Sequence, residues 1–412
     1  VSVALIFGIA LSGDALSDQL VRRGWSVVVA DDQPTDAKRA RALELGGALF
    51  ERPDADRIAE LVAQCDIVCP APGVPETHPV ITAAIATGTP LRTEIDLAYE
   101  WEQQREGGPR PMLAVTGTDG KTTTTLLTAH ILQTAGHRVA AVGNTEVPLA
   151  AALDEPVDVF VVECSSFRLN WIDSFRAEAS VWLNLAPDHQ NWHSSMASYE
   201  AAKARMWSHR RSSDVAIGFA DDAVVMRNLR AAGGVTRTFG SGRADYHLAN
   251  DCLVGPKGPI VPIECMARRL PHDITNALAA SALVLESHLA TAADVRTALE
   301  TFRHPPHRIE PVATIDGVQW FNDSKATTPH ASLTAIRGFQ HIVLLAGGRN
   351  KGLDLRSLAD ERSHVKAVVG LGEAGAEVTA AFQGHCPTTV AESMAAAVDA
   401  ANAFAEAGDV VV

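Results

Sequence analysis

The stretch Ala114–Thr125 reads AVTGTDGKTTTT, with two glycines, a lysine and a run of threonines inside one turn. Those residue types suit an oxyanion. Gly117 and Gly120 let the backbone approach closely, so that its N–H groups and the start of a helix face the anion. Lys121 supplies a point charge, and the Thr122 hydroxyl can ligate a magnesium ion. The strict phosphate-loop spacing would put a glycine at Val115, so a plain strand, turn and helix is the competing reading of this stretch alone.

Further loops could carry chemistry. In VVECSSF, Glu163 closes an apolar run, where a buried carboxylate needs a partner. A magnesium ion shared with Thr122 is one candidate, and a salt bridge at the sheet rim is the other. NLAPDHQNWH brings together Asp188, His189 and His193 as metal ligands, phosphate contacts or plain loop residues. FNDSKATTPHAS sets Asn322, Asp323, Ser324 and Lys325 after a strand, then opens a helix with Thr327, Thr328 and Pro329. LLAGGRNKGLD adds Gly347, Gly348 and Lys351, a loop shaped to receive a carboxylate or phosphate. Lys203, between alanines in YEAAKARMW, reads by itself as a solvent-exposed helix lysine.

The elements that must position these residues alternate. VSVALIFG, SVVVADD and DIVCPAPGV read as strands separated by helical stretches, which implies a parallel sheet covered by helices. GIALSGDA after the first strand lacks the middle glycine of a dinucleotide fingerprint, so an oxidoreductase is poorly supported. Asp31 and Asp32 end the second strand, as ribose acceptors or as turn residues. EWEQQREGGPRPM reads as a linker. The phosphate loop then opens a second segment with strands in DVFVVECSS, ASVWLNLAPDH and DVAIGF. RHPPHR breaks the chain again, before strands in WFNDSKATTP, HIVLLAGG and VKAVVGLG.

With 412 residues, 20% of them charged, the chain has room for two to four domains. A net charge of −14 argues against a nucleic-acid binder, which needs clustered Lys and Arg. No apolar run is long enough to span a bilayer, and six scattered cysteines read as reduced core thiols, so the expected location is the cytoplasm. Val1 opens directly in an apolar run and DVVV reads as the start of a strand, so a fragment is expected.

TGTDGKTTTT, ECSSFRL, NLAPDH, YEAAKARMW, PHDITNALAA, PPHRIE, FNDSKATT and LAGGRNKG follow one another along essentially the whole chain. In that order they resemble the Mur ligase family. The resemblance implies three consecutive α/β domains: an N-terminal Rossmann-like domain for a uridine nucleotide (1–106), a central P-loop ATPase (107–303) and a C-terminal Rossmann-like domain admitting an amino acid (304–412). It implies an ATP- and Mg2+-dependent ligase of peptidoglycan synthesis, working as a monomer, that adds D-glutamate to UDP-N-acetylmuramoyl-L-alanine through an acyl phosphate. A related ligase adding another amino acid such as L-glutamate, or a catalytically weak nucleotide-binding homologue, are the alternatives.

By resemblance Lys121, Glu163, His189 and Lys203 form the catalytic set. Thr122 and Glu163 would hold one magnesium, His189 and a carbamylated Lys203 a second. Gly117, Thr118, Asp119, Gly120, Lys121, Thr122, Thr123, Asn276, Arg308 and Asp323 would contact ATP. Leu11, Ser12, Gly73, Asn144 and Ser165 would contact the sugar nucleotide, and Thr327 and Lys351 the amino acid. The chain departs from the family pattern at Asp119, Asp273 and Thr328, each for a common Asn, at Arg168 for Gln and Pro187 for Glu, and at Asp32 and Gln33 for nucleotide contacts. The pattern continues past Val412 into a serine-containing loop and an aromatic residue, so the C-terminal domain is expected to be truncated.

Overall fold

The computed structural model describes residues 1–350 and 352–412, so Lys351 lies outside the described residues. The first sheet takes strands β1 (Val3–Phe7), β2 (Ser26–Asp31), β3 (Leu49–Glu51) and β4 (Ile67–Pro70) in the parallel order β3-β2-β1-β4. Central β1 is apolar on both faces because helices cover both. Leu5 and Phe7 pack with Ile58 and Leu61, and Ala4 and Ile6 with Leu16 and Leu20.

The second sheet contains β5 (Met112–Thr116), β6 (Val139–Gly143), β7 (Val159–Glu163), β8 (Ala179–Trp182), β9 (Val215–Phe219), β10 (Val235–Gly240), β11 (Tyr246–Ala249), β12 (Cys252–Gly255) and β13 (Gly258–Pro262). Their order is β13-β12-β11-β10-β9-β8-β5-β7-β6. The strands from β6 through β11 run parallel, and β11, β12 and β13 are joined antiparallel. β5 lies between β7 and β8 and is buried at every residue, as its unbroken apolar run requires.

The third sheet takes β14 (Glu310–Ile315), β15 (Val318–Asn322), β16 (Ile342–Gly347), β17 (Val365–Leu371), β18 (Thr388–Ala391) and β19 (Val410–Val411) in the order β14-β15-β19-β16-β17-β18. Among the described residues of this sheet, only the β14–β15 pair is antiparallel. Helix Pro329–Gly338 starts as its sequence demands, with Thr328 Oγ1 accepting the Ala331 N–H at 3.2 Å and Pro329 in the first turn.

Two compact units result. One comprises Val1–Leu185, His189–Met266 and Thr275–Thr301, and carries the first two sheets. The other comprises Ala186–Asp188, Ala267–Ile274 and Phe302–Val412, and carries the third.

Three expectations change. The linker starts later, because Glu100–Gln103 complete the helix Glu94–Gln103. Nor is it loose: buried Arg110 pairs with Glu102 at 2.7 Å and donates to the carbonyls of Leu153 and Glu155. The cysteines are all free, but only Cys65, Cys69 and Cys164 are buried, the other three being partly exposed.

Candidate active site

Strands β8, β5, β7 and β6 are neighbours in one parallel sheet, so the loops at their C-terminal ends converge. The phosphate loop follows β5. Gly120 adopts φ 82°, and a Cβ there would meet Asn276 Oδ1 at 2.7 Å, so only glycine lets the helix Lys121–Thr134 start here. Asn276 also accepts from Thr124 Oγ1 at 3.3 Å, which places this expected ATP contact against the loop.

Asn184, in the loop after β8, shapes the turn. Its Oδ1 accepts the N–H groups of Thr118 and Asp119, both at 2.9 Å, while its Nδ2 donates to the Asp119 carbonyl at 3.2 Å. Lys121 Nζ donates to the carbonyls of Gly117 (2.8 Å) and Thr118 (2.7 Å). Thr123 is buried in the helix it opens.

Glu163 ends β7, in register with Val115 of β5 on one side and Gly143 of β6 on the other. It is 1% exposed; Oε1 accepts from Asn144 Nδ2 at 3.1 Å and Oε2 has no hydrogen-bond partner. The rim salt bridge is therefore not what holds it. A buried carboxylate oxygen left unpaired at the strand end next to a phosphate loop is a donor suited to a hard divalent cation. Among the described residues no three of His, Cys, Asp and Glu gather as a metal site, so the remaining donors must be of other types, such as the Thr122 hydroxyl.

Lys203 differs most from its reading in isolation. It is 1% exposed on the helix Met196–Ala204, and its Nζ donates to the Gly117 carbonyl at 2.6 Å while lying 4.6 Å from the Tyr199 ring centroid. The Tyr199 hydroxyl is 3.1 Å from Thr118 Oγ1. His189 meets the same tyrosine, centroid to centroid at 5.9 Å, and Phe167 at 4.6 Å. Helix and loop thus bring Lys203 and His189 to one ring beside the phosphate loop.

The expected sugar-nucleotide contacts gather partly. Arg168 donates to Ser12 Oγ at 2.6 Å and pairs with Glu94, and its own N–H donates to Ser165 Oγ at 3.4 Å. Ser12, Gly13, Pro72, Glu94, Phe167 and Arg168 are among the residues lining a small cleft. Burial pushes the Glu94 carboxyl up, against the pull of the Arg168 guanidinium and the Ala150 N–H. Gly73 is exposed on the loop after β4, and Leu11 is exposed as the first residue of the helix Leu11–Arg22. Asp31 is a structural acceptor here: buried, it takes the Ile9 N–H at 2.9 Å and the Lys38 ammonium at 2.8 Å.

In the second unit, Asp323 Oδ1 accepts the Ile309 N–H at 3.0 Å, and the Arg308 carbonyl accepts from Arg268 at 2.7 Å. Thr327 is exposed one residue before the helix cap. Sequence reasoning missed Asn184, Glu94 and Tyr199. Asn184 and Tyr199 sit inside quoted motifs, but nothing in their types announced a role in shaping the loop.

Known proteins share this organisation. Residues 115–284 match the Mur ligase middle domain, and residues 307–412 match the Mur ligase glutamate ligase domain. The UDP-N-acetylmuramoylalanine–D-glutamate ligase of Frankia casuarinae is 39% identical, over 99% of this chain and 88% of its own. Its counterpart in Syntrophus aciditrophicus is 36% identical over 99% and 91%. Among solved structures, the UDP-N-acetylmuramate–alanine ligase of Thermotoga maritima is similar at a TM-score of 0.59 and 19% identity, covering 100% of this chain and 94% of that one. The folylpolyglutamate synthase of Mycobacterium tuberculosis, solved with ADP and AMPPCP, gives 0.61 and 18% over 77% and 91%. Motif order, phosphate loop and near-full-length relatives agree: the chain belongs to the Mur ligase family, whose members are ATP-dependent amide-bond-forming ligases.

Proposed function

We propose that this chain joins D-glutamate to UDP-N-acetylmuramoyl-L-alanine in peptidoglycan synthesis, using ATP, as a monomer in the cytoplasm. Relatives bearing that activity in their names cover almost the whole chain. Its net charge of −14 disfavours a nucleic-acid partner, and no described helix is long and apolar enough to cross a membrane. The observation that carries the reading is the buried Lys203 on the Gly117 carbonyl of a phosphate loop, with a Glu163 oxygen left unpaired at the neighbouring strand end.

The substrate carboxylate attacks the γ-phosphorus of ATP, forming an acyl phosphate as the bond to ADP breaks. The amine of D-glutamate then attacks the acyl carbon, and phosphate and a proton leave. Two anions must meet in the first step, so neutralising and orienting charge is the main task. Lys121 and the helix N-terminus it opens receive the phosphates, with Gly117, Thr118, Asp119, Gly120, Thr122 and Thr123 around them. Asn276, Arg308 and Asp323 contact the rest of ATP. Leu11, Ser12, Gly73, Asn144 and Ser165 receive the sugar nucleotide, and Thr327 and Lys351 the amino acid.

Thr122 and Glu163 would hold one magnesium ion, and His189 with Lys203 a second. When bound, the ions neutralise phosphate and carboxylate oxygens. For Lys203 to serve, its neutral amine adds to the carbon of CO2 and loses a proton, which gives a carbamate anion. The domains run 1–106, 107–303 and 304–412.

Phosphate release with ATP, magnesium and UDP-N-acetylmuramoyl-L-alanine tests the function. Release that requires D-glutamate is expected. Preference for L-glutamate would keep the mechanism and change the product, and ATP binding without release under any amino acid would leave a nucleotide-binding homologue.

A further inference from the structure

His189 is tied down through its own main chain. Its carbonyl accepts the N–H groups of Trp192 and His193, both at 2.9 Å, and its backbone is left-handed with φ 56°. The two residues that hold it are fastened in turn to the loop after β4. Trp192 Nε1 donates to the Pro72 carbonyl at 2.9 Å, and the Trp192 carbonyl accepts the Glu76 N–H at 3.3 Å. The Glu76 carboxylate accepts from the Ser194 N–H and from Ser198 Oγ, at 2.7 Å to one oxygen, and faces His193 Nδ1 at 3.4 Å. His193 is buried, and its Nε2 lies 2.9 Å from Ser166 Oγ.

This arrangement has two ends. Ser194 and Ser198 flank the start of the helix Met196–Ala204, which carries Tyr199 and Lys203. Gly73 lies between the two anchors, Pro72 and Glu76, on the other side. One carboxylate accepting from donors on the opposite loop, with a two-way tryptophan link beside it, leaves neither loop free to move alone. Burial would raise the Glu76 carboxyl, but the Ser194 and Ser198 hydrogen bonds and the His193 ring hold it below the usual carboxylate range.

We propose that Glu76 is a positioning residue that couples the occupant of the Pro72–Glu76 loop to the segment bearing His189 and Lys203, so that a uridine nucleotide on the first tightens binding of a magnesium–ATP complex on the second. The proposal rests on the reading that the Gly73 loop receives the sugar nucleotide. Coupling of this kind is reciprocal and typically amounts to about 5-fold or more in affinity.

Calorimetry on the full chain tests it, with free magnesium fixed and AMPPCP titrated with and without saturating UDP-N-acetylglucosamine. That probe has no carboxylate to reach the metal, so any coupling must pass through the protein. Wild type is expected to bind Mg·AMPPCP about 5-fold tighter with the sugar nucleotide present. Glu76→Ala is expected to lose the enhancement while keeping the basal affinity. Glu76→Gln, which can still accept the Ser194 N–H, should keep part of it, and Trp192→Phe, which removes the indole donor and part of its packing on Phe167 and His193 but leaves the Trp192 carbonyl, should lose part. Thermal melts identify any variant that has not folded. Equal enhancement in folded Glu76→Ala, or none in wild type, overturns the proposal. If UDP-N-acetylglucosamine fails to bind at all, the reading of the Gly73 loop falls and the coupling with it.

Discussion

A lysine ammonium is costly to bury unless its surroundings compensate, and Lys203 has a carbonyl at 2.6 Å and a tyrosine face to do so. Its neighbours Ala201, Ala202 and Ala204 say nothing of this. Burial came from how the helix Met196–Ala204 seats against Gly117, a long-range contact that no local pattern encodes. Only the resemblance picked the residue out, and only the resemblance chose the metal role among the three readings that NLAPDHQNWH left open for His189. Glu163 was easier, because a carboxylate closing VFVVE has to be accounted for whatever the fold. If Lys203 acts as a carbamate that holds metal, Lys203→Ala should lose at least the roughly 10–100-fold in activity that losing a partner of a metal ligand costs, since here the ligand itself goes. High bicarbonate should not restore it, because no amine remains to add CO2. A short-chain carboxylic acid should restore part by supplying the missing oxygens. Steady-state phosphate release, with a melt to confirm folding, makes the measurement. Full activity in the unrescued variant would remove Lys203 from the site.

Strands carry the site because they are held in register, and β6 shows how tightly. Gly143, at its end, adopts φ 98°, and a Cβ there would lie 2.5 Å from the Glu163 carbonyl oxygen. The approach lets the Asn144 N–H reach that carbonyl at 2.9 Å and its side chain reach Oε1. Gly143→Ala should therefore cost about 2–4 kcal/mol in stability and displace Glu163 as well. Urea unfolding and phosphate release together check it, and a variant with wild-type stability and activity would show that the strand end yields freely. The buried strands of this sheet could be read directly, since MLAVT and VFVVE are apolar up to their last residues, Thr116 and Glu163. The stretch from β10 to β13 was not readable. YHLA, CLVG and GPIVP are four or five residues long, too short to carry a pattern, and two of them contain glycine or proline, so their conformation depends on pairing with neighbouring strands.

Among the described residues, burial lowers the pKa of His193, His272 and His304, and these lie in both compact units. His193 belongs to the first, and His272 and His304 to the second. Burial pushes His304 down to about 4, with Asp273 opposing and Arg268 and His272 adding to the shift. Burial likewise lowers His272 and His193, against the carboxylates of Asp273 and Glu76 respectively. None of this was visible in the chain, where RHPPHR and PHDIT lie more than thirty residues apart. Arg268 joins them: it pairs with Asp273 at 2.7 Å and reaches His304 Nδ1 at 3.2 Å. Between about pH 6.5 and 4 the unfolded chain binds protons that the folded chain refuses, so stability is full above about 6.5 and falls as the medium acidifies. For His304, 18% exposed, the shift corresponds to about 3 kcal/mol over that window. Asp273 does not blur the signal, because its carboxyl is held below the usual range and its contribution is lost only at lower pH. Urea unfolding at pH 7, 6 and 5 should show a progressive loss in wild type, and His304→Gln should flatten it. Parallel slopes in the two proteins would mean that His304 takes up its proton as readily folded as unfolded, and that burial beside Arg268 does not hold it neutral.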